Sequence, residues 1–163
     1  GGGSGAFLEV VGNAYPDLEL VVFDLPEVAP SSAARFETAG MSGRARFECG
    51  SFKTDPISTG ADAISLIRVL YDHSDSTVRQ LLAKCYEALP SGGQLIISEP
   101  MSGGQKPERA GDVYFALYTL AMQTGKARSA AEIKTLCEEA GFENITMPKS
   151  MRPFVTTCLY ARK

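Results

Sequence analysis

Short apolar strands alternate with helices along most of this chain, and that alternation limits the fold more than any other feature. The clearest strands are Leu18 to Phe23, Ala45 to Cys49 and Gln94 to Ser98. The clearest helix is Ser74 to Leu89, which carries an apolar stripe at helical spacing. Strands that alternate with helices predict an α/β fold with a doubly wound, largely parallel sheet.

The last two predicted strands follow each other without a helix between them. They lie around Asn144 to Met147 and at Phe154 to Ala161, after a helix that begins at Ser129 and ends at Gly141. Ser129 and Glu132 have the spacing of a capping box, which marks the start of that helix. Two consecutive strands predict an antiparallel hairpin at one edge of the sheet.

Three further helices and one strand complete the predicted elements. The helices are Ala6 to Tyr15, Ser31 to Ala39 and Asp112 to Gln123, and the strand lies within Ala61 to Leu70. The third of these helices carries the aromatic residues Tyr114, Phe115 and Tyr118. Aromatic residues at helical spacing are typical of core, and where they line a pocket they predict an apolar substrate.

A glycine-rich turn, Gly1 to Gly5, precedes the first helix, and Asp24 follows the next predicted strand. Glycines let the backbone approach a ligand and leave its N–H groups available. A carboxylate at the tip of that strand can accept hydrogen bonds from both ribose hydroxyls. Together they predict an adenosine site for either S-adenosylmethionine (SAM) or a dinucleotide. The alternatives are a purely structural turn, and an Asp24 that caps the helix after Pro26.

Polar residues also follow the next three strands. Ser51 and Phe52 come after Cys49, where Ser51 can bond an adenine and Phe52 can stack on it; a turn with a buried Phe is the alternative. Arg68 to Asp75 follows the strand within Ala61 to Leu70, at the end of the sheet where ligands bind in such folds. Within this segment His73 is a candidate base, while Asp72 and Ser74 are expected to cap the next helix. Glu99 directly follows the strand Gln94 to Ser98, where it either orients a hydroxyl or base or is a solvated loop residue.

Composition narrows the function classes. The 163 residues carry a net charge of −3 without a basic cluster, which argues against nucleic-acid binding. The four cysteines are too far apart to form a zinc motif, and His73 is the only histidine. Scattered cysteines favour a reducing compartment such as the cytoplasm. No apolar run approaches the roughly 20 residues that cross a bilayer.

The order and spacing of these motifs resemble the C-terminal catalytic domain of the SAM-dependent small-molecule O-methyltransferases. The matching stretches cover almost the whole chain: Gly1 to Gly5, Tyr15-Pro16, Phe23 to Pro26, Gly50 to Phe52, Arg68 to Asp75, Cys85 to Pro90, Gly92-Gly93 with Glu99, and Gly125 to Phe142. Within that family, the sequences around Tyr71 and Ala127 are most similar to bacterial carotenoid O-methyltransferases that act on demethylspheroidene and hydroxyneurosporene.

The resemblance implies a Rossmann-like class I methyltransferase sheet, with its first strand truncated from this chain. Residues 1–163 would then be the SAM-binding catalytic domain of a longer protein. A helical N-terminal dimerisation domain would lie outside them, and the whole protein would be a homodimer. Because the missing strand would leave its neighbours unpaired, we expect the isolated stretch to be unstable.

The resemblance also implies SAM as the cofactor, with no metal. Seven positions carry the expected cofactor contacts: Gly1, Gly3, Asp24, Leu25, Ser51, Phe52 and Arg68. An acidic residue is usual in the family where Ser51 stands, so the adenine contact is expected to be weaker or different here.

The catalytic positions depart from the family pattern. Tyr71 stands where the family has its histidine base, and His73 where it has a tryptophan. Glu99 keeps the first supporting glutamate, whereas Ala127 replaces the second. Methyl transfer mainly requires alignment of the acceptor oxygen and exclusion of water. We therefore expect Tyr71 and Glu99 to position an aliphatic hydroxyl, as on a 1-hydroxy carotenoid, with late proton removal by His73 or water.

Other functions remain open at this point. The acceptor can instead be a phenolic or polyketide hydroxyl or a tetrapyrrole carbon, and the altered site also suits a SAM-binding protein without catalysis. An NAD-dependent dehydrogenase is the weakest reading, because the chain lacks a Tyr-x-x-x-Lys pair or other evident hydride-transfer site. An apolar acceptor would bring a cytoplasmic enzyme into contact with membranes.

Overall fold

A computed structural model describes residues 1–103, 106, 107, 109–149 and 155–163 of the protein. Over these ranges the chain forms five α-helices and six β-strands. They divide into two compact units, Gly1–Pro56 and Ile57–Lys163. The strands form two sheets, one within each unit.

The first unit alternates helices and strands, as the sequence predicts. Its elements are α1 (Ala6–Ala14), β1 (Leu20–Asp24), a 3₁₀ turn (Pro26–Val28), α2 (Ala29–Thr38) and β2 (Ala45–Cys49). The two strands pair in parallel, with Leu20 opposite Ala45 and Asp24 opposite Cys49. A small core holds the unit together and consists of Leu20, Val22, Phe36 and Met41, all at most 4% exposed.

The second unit contains the remaining elements. They are β3 (Ala63–Ile67), a 3₁₀ turn (Leu70–Asp72), α3 (Asp75–Ala88), β4 (Gln94–Glu99), a π-helical turn (Arg109–Tyr114), α4 (Phe115–Met122), α5 (Ala130–Glu139), β5 (Glu143–Thr146) and β6 (Thr157–Arg162). The sheet order is β3-β4-β6-β5, with β3 and β4 parallel and the other pairs antiparallel. The predicted antiparallel hairpin at one edge is therefore confirmed, with β6 inserted between β4 and β5.

Helix ends follow the predicted chemistry. Ser74 is the N-cap of α3 and accepts from the Thr77 amide. Ser129 and Glu132 form the predicted capping box at the start of α5. The predicted helix from Asp112 differs, because its first turns are π-helical and α4 begins only at Phe115.

Other sequence predictions have mixed outcomes. Phe154, the first residue of the predicted last strand, lies outside the described residues. All four cysteines are free, and burial raises the pKa of Cys85 and of Cys137 to about 12, so these two thiols pack as apolar core groups. In the ranges described, no helix has the length and apolar character needed to cross a membrane.

Candidate active site

The glycine turn in the first unit is tied to the end of β1 by Asp24. The Gly3 amide donates to Asp24 Oδ2 and the Leu25 amide donates to Oδ1, each at 2.7 Å. The Gly2 amide donates to the Phe23 carbonyl oxygen at 3.1 Å. Each carboxylate oxygen keeps acceptor capacity beyond its backbone bond. Asp24 thus orients the turn and can still accept from hydroxyl groups of a ligand.

Two glycines explain why this turn has the sequence it does. Gly3 and Gly5 have positive φ values of 56° and 80°, which other residues adopt at a cost. A Cβ at Gly5 would lie 2.7 Å from the ring of Phe36, so the turn packs directly on α2. A Cβ at Gly3 would have no atom within 4 Å, which leaves open space beside the turn.

Ser51 and Phe52 lie in the turn after β2, and both are half-buried. The Gly50 amide donates to the Asp24 carbonyl oxygen at 2.9 Å, so the two strand ends are adjacent. Asp55 Oδ2 accepts from the Ser51 amide at 2.8 Å. Sequence reasoning missed Asp55; a carboxylate four residues after a Gly-Ser turn was the available signal.

In the second unit, Glu99 is buried and bonded to backbone. It is 1% exposed; Oε1 accepts from the amides of Val69 and Leu70 at 2.7 and 2.8 Å, and Oε2 accepts from the Tyr71 amide at 3.3 Å. The alternative of a solvated loop residue is therefore wrong. The carboxylate acts on the backbone of the 3₁₀ turn that carries Tyr71.

Burial raises the pKa of Glu99 to about 7, against the opposing effect of the three amides and the charge of Arg128. Desolvation disfavours the charged carboxylate, and amide donors favour it. The space beside Glu99, Tyr71 and Arg128 has no room for a water-sized molecule. Burial therefore brings the pKa of Glu99 close to neutrality.

The Tyr71 ring is 8% exposed and lies in an aromatic cluster with α4. Its centroid is 5.2 Å from that of Phe115, edge to face, and 6.0 Å from that of Tyr118. Burial raises the pKa of Tyr71 above its ordinary 10.0, helped by the charge of Asp72 and opposed by Arg68. The phenol is therefore neutral at physiological pH and can donate a hydrogen bond.

Arg68 was expected at the cofactor, and the structure places its guanidinium over aromatic rings of the second unit. The distance is 5.8 Å to the Tyr71 centroid and 5.5 Å to the Phe115 centroid. Its φ of 58° is left-handed, which costs a non-glycine residue about 1–2 kcal/mol. Such backbone strain is typical of functional loops.

His73 closes the 3₁₀ turn and is half-buried. Its amide donates to the Leu70 carbonyl oxygen at 3.1 Å. Ser74 is the predicted helix cap, but Asp72 is not, since it lies within the 3₁₀ turn. The structure thus brings Tyr71 and His73 into one short loop.

Arg128 is the functional candidate that sequence reasoning missed. It is 2% exposed, and its guanidinium donates to the carbonyl oxygens of Leu70 and His73, each at 2.8 Å. It also pairs with Asp75, whose pKa it lowers through their hydrogen bond. The Gly-Lys-Ala-Arg-Ser stretch, Gly125 to Ser129, was the only sequence signal for it.

The segment before Arg128 lies close against the same loop. The Lys126 amide donates to the Tyr71 carbonyl oxygen at 2.9 Å. Gly125 has φ 80°, and a Cβ there would overlap that carbonyl. Glycine is therefore required for this close approach.

Across the residues that the structure describes, no group of three or more His, Cys, Asp or Glu side chains could hold a metal ion.

Comparisons with known proteins place the chain among methyl-transfer proteins. Residues 1–143 match the O-methyltransferase domain family. The chain is 55% identical over its full length to demethylspheroidene O-methyltransferase of Rhodobacter capsulatus, and 53% identical over 99% of its length to that of Cereibacter sphaeroides. It spans 40% and 42% of the lengths of these relatives.

Solved structures of methyltransferases also match this chain. Human N-acetylserotonin methyltransferase in complex with SAM matches with a TM-score of 0.87 and 28% identity, covering all of this chain and 46% of that one. An O-methyltransferase from neocarzinostatin biosynthesis, in complex with S-adenosyl-L-homocysteine (SAH) and 1,4-dihydroxy-2-naphthoic acid, matches with a TM-score of 0.82 and 35% identity. That match covers 99% of this chain and 46% of the other.

Proposed function

The chain belongs to the O-methyltransferase domain family, and from that premise we propose that the complete protein transfers a methyl group from SAM to the hydroxyl of a carotenoid of the demethylspheroidene or hydroxyneurosporene type. The observation that carries this proposal is the 53–55% identity, over almost the whole chain, to two demethylspheroidene O-methyltransferases. The predicted α/β methyltransferase fold with antiparallel C-terminal strands is confirmed by the solved structures.

Residues 1–163 are proposed to act as the SAM-binding catalytic domain. The cofactor is assigned to the first unit, where Asp24 has acceptor capacity for ribose hydroxyls and the space beside Gly3 is open. Phe52 is assigned to stack on the adenine, and Ser51, with Asp55 bonded to its amide, to bond the adenine edge. Gly1 and Leu25 are further proposed cofactor contacts in this unit, and Arg68 is kept as a proposed contact.

The acceptor hydroxyl is assigned to Tyr71. When bound, SAM would supply a sulfonium methyl group, which the acceptor oxygen would attack in line as the carbon–sulfur bond breaks and SAH leaves. The neutral Tyr71 phenol can hydrogen-bond that oxygen and orient it, and Glu99 holds the Tyr71 backbone. A tertiary aliphatic hydroxyl loses its proton only as the new C–O bond forms, so His73 or water can take the proton late. If Tyr71→Phe and Glu99→Gln both kept full turnover, this assignment would be wrong.

An apolar acceptor suits the exposed apolar residues of α4. Leu117 and Leu120 are 60% and 73% exposed on the same helix that supplies Phe115 and Tyr118 to the ring cluster of Tyr71. Long apolar molecules bind such surfaces through burial of apolar area. We propose that the acceptor reaches the protein from a membrane, which vesicle flotation with and without carotenoid would test.

We also propose that the complete protein is a homodimer. The support is the resemblance to the family, which implies a dimerisation domain on the N-terminal side of the catalytic domain. Light scattering of the purified complete protein measures the mass directly, and a monomer at assay concentration would contradict the proposal.

The first experiment is calorimetry of SAH with the complete protein and its Asp24→Ala variant. We expect binding in the wild type and at least tenfold weaker binding in the variant, because a charge-assisted bond to ribose contributes about 1.5–3 kcal/mol. Asp17→Ala, an exposed carboxylate in the same unit, is the matched control. No SAH binding, with NAD tested in parallel, would contradict the proposal.

Methyl transfer is then compared across a panel of acceptors. We expect methyl transfer to a 1-hydroxy carotenoid to exceed transfer to naphthols, polyketide phenols and tetrapyrroles. Binding of SAH without transfer to any acceptor would instead identify a SAM-binding protein that lacks catalysis, as Tyr71 and Ala127 in place of the family's catalytic residues allow.

A further inference from the structure

Two buried polar side chains, Glu99 and Arg128, hold the loop from Val69 to Ser74 through its backbone. On one side, the Glu99 carboxylate accepts from three consecutive amides. On the other, the Arg128 guanidinium donates to the carbonyl oxygens of Leu70 and His73. Buried backbone groups need partners, and here side chains supply them in place of a strand or helix ladder.

Arg128 commits its whole donor capacity to this arrangement. A guanidinium has five N–H groups. Nη1 lies 2.8 Å from the Leu70 oxygen and 3.2 Å from the Lys126 oxygen, Nη2 lies 2.8 Å from the His73 oxygen and 2.7 Å from Asp75 Oδ1, and Nε lies 2.8 Å from the same Oδ1. Three of the five contacts go to backbone carbonyls, so the guanidinium is arranged around the backbone as much as around its carboxylate partner.

Stability alone does not account for such a buried charge. The Arg128 side chain is 1% exposed, whereas its carboxylate partner Asp75 is 42% exposed. Removing a charge from water costs free energy, and the attraction of a single half-exposed partner does not offset that cost well. A role in selecting one conformation of the loop explains the buried guanidinium better. Lysine would keep the charge but place three donors on one point, which cannot span both carbonyls and the carboxylate.

We propose that Arg128 is a positioning residue for methyl transfer, which fixes the loop so that Tyr71 stays packed against Phe115 and presents its hydroxyl to the acceptor. The inference rests on the proposed function and deepens it. Arg128 acts through the loop backbone and does not itself touch the reacting atoms. Loss of its contacts should let the Tyr71 hydroxyl move while the cofactor residues of the first unit stay in place.

The test is Arg128→Lys in the complete protein, with a 1-hydroxy carotenoid as acceptor. We expect kcat to fall about 10- to 100-fold, because a displacement of about 1 Å at a reacting group has that effect. We expect SAH affinity, measured by calorimetry, to remain that of the wild type. A merely structural role would lower SAH binding and kcat together, in proportion to the folded fraction, and that result would overturn the inference.

A double-mutant cycle gives the sharper readout. If Arg128 acts through Tyr71, then Arg128→Lys should have little further effect on kcat in a Tyr71→Phe background, because residues that act as one unit are not additive. Fully additive effects of the two substitutions would overturn the inference while leaving the proposed function intact. A wild type that transfers no methyl group would overturn both.

Two further variants keep the test decisive. Arg79→Lys is the matched control, since Arg79 pairs with Glu139 at 2.9 Å on the exposed surface of the same unit, and its kcat should stay at the wild-type level. If Arg128→Lys does not fold, Asp75→Asn weakens the guanidinium's anchor and keeps an oxygen acceptor. Asp75→Asn should lower kcat less than Arg128→Lys would, and it should have little further effect on kcat in the Tyr71→Phe background. An unchanged kcat in Asp75→Asn, or fully additive effects of Asp75→Asn and Tyr71→Phe, would overturn the inference.

Discussion

Single residues at this site act mainly on the backbone around them. Asp24 binds two amides, Glu99 binds three, and Arg128 binds three carbonyl oxygens. The sequence predicted that Glu99 either orients a hydroxyl or base or is a solvated loop residue, whereas its oxygens accept from the amides of the turn after β3. The side chain that this arrangement presents is Tyr71, which makes the tyrosine the residue that the candidate chemistry depends on.

Glu99 should leave a measurable pH dependence in stability. Its pKa is about 7 in the folded state against an ordinary 4.5, so between these values the folded state binds more protons than the unfolded state. The free energy of unfolding should therefore fall as pH rises from 4.5 to 7, by up to about 3 kcal/mol, and then level off. Glu99→Gln should remove this slope, as urea unfolding at several pH values would measure.

Two other carboxylates help to distinguish the effect of Glu99 on stability from the effects of other titrating groups. Glu132 acts at lower pH, since its hydrogen bond to Lys126 holds its pKa at about 2 and its contribution is lost only as pH falls below 4.5. Glu143→Gln, an exposed carboxylate on β5, is the matched control and should retain the wild-type slope. A wild type and a Glu99→Gln variant with parallel profiles would show that Glu99 ionises at its ordinary pKa.

At the scale of helices and strands, the sequence predicted those features that depend on residues close together in the chain. The strands, the Ser74 cap, the Ser129 capping box and the C-terminal hairpin follow from apolar periodicity and from cap residues a few positions apart. Arg128 was not predictable in this way, because it bonds to Leu70, 58 residues away, and a lone arginine in sequence reads as exposed. The π-helical turn at Arg109–Tyr114 likewise carries no local signal that distinguishes it from an α-helix.

The close approach of the segment from Gly125 to the Tyr71 loop can be tested by substitution. Gly125→Ala should destabilise the protein by more than the roughly 1–2 kcal/mol that a left-handed backbone costs alanine, because its Cβ would also overlap the Tyr71 carbonyl. Gly60→Ala is the matched control, with φ 99° and no atom within 4 Å of its Cβ. Thermal unfolding of both variants gives the comparison, and equal losses would mean that the segment moves away at no cost.

At the scale of the whole molecule, the two units carry different parts of the proposed chemistry. The first holds the proposed cofactor contacts around Asp24, and the second holds Tyr71, His73 and Glu99. Family membership over residues 1–143 supports the proposed reaction class, whereas the proposed acceptor contacts lie in the second unit. A change at Tyr71 should therefore alter acceptor choice without altering cofactor affinity.

The matching experiment is Tyr71→His in the complete protein. A histidine there can act as a general base, which typically contributes about 10²–10⁴-fold where the proton is lost early. Phenols are acidic enough to use it, so kcat/KM for 1,4-dihydroxy-2-naphthoic acid should rise at least tenfold relative to that for a 1-hydroxy carotenoid. SAH affinity should stay constant, and Tyr160→His, on the exposed side of β6, should leave the ratio unchanged. An unchanged acceptor ratio in Tyr71→His would mean that Tyr71 does not face the acceptor and that other residues decide acceptor choice.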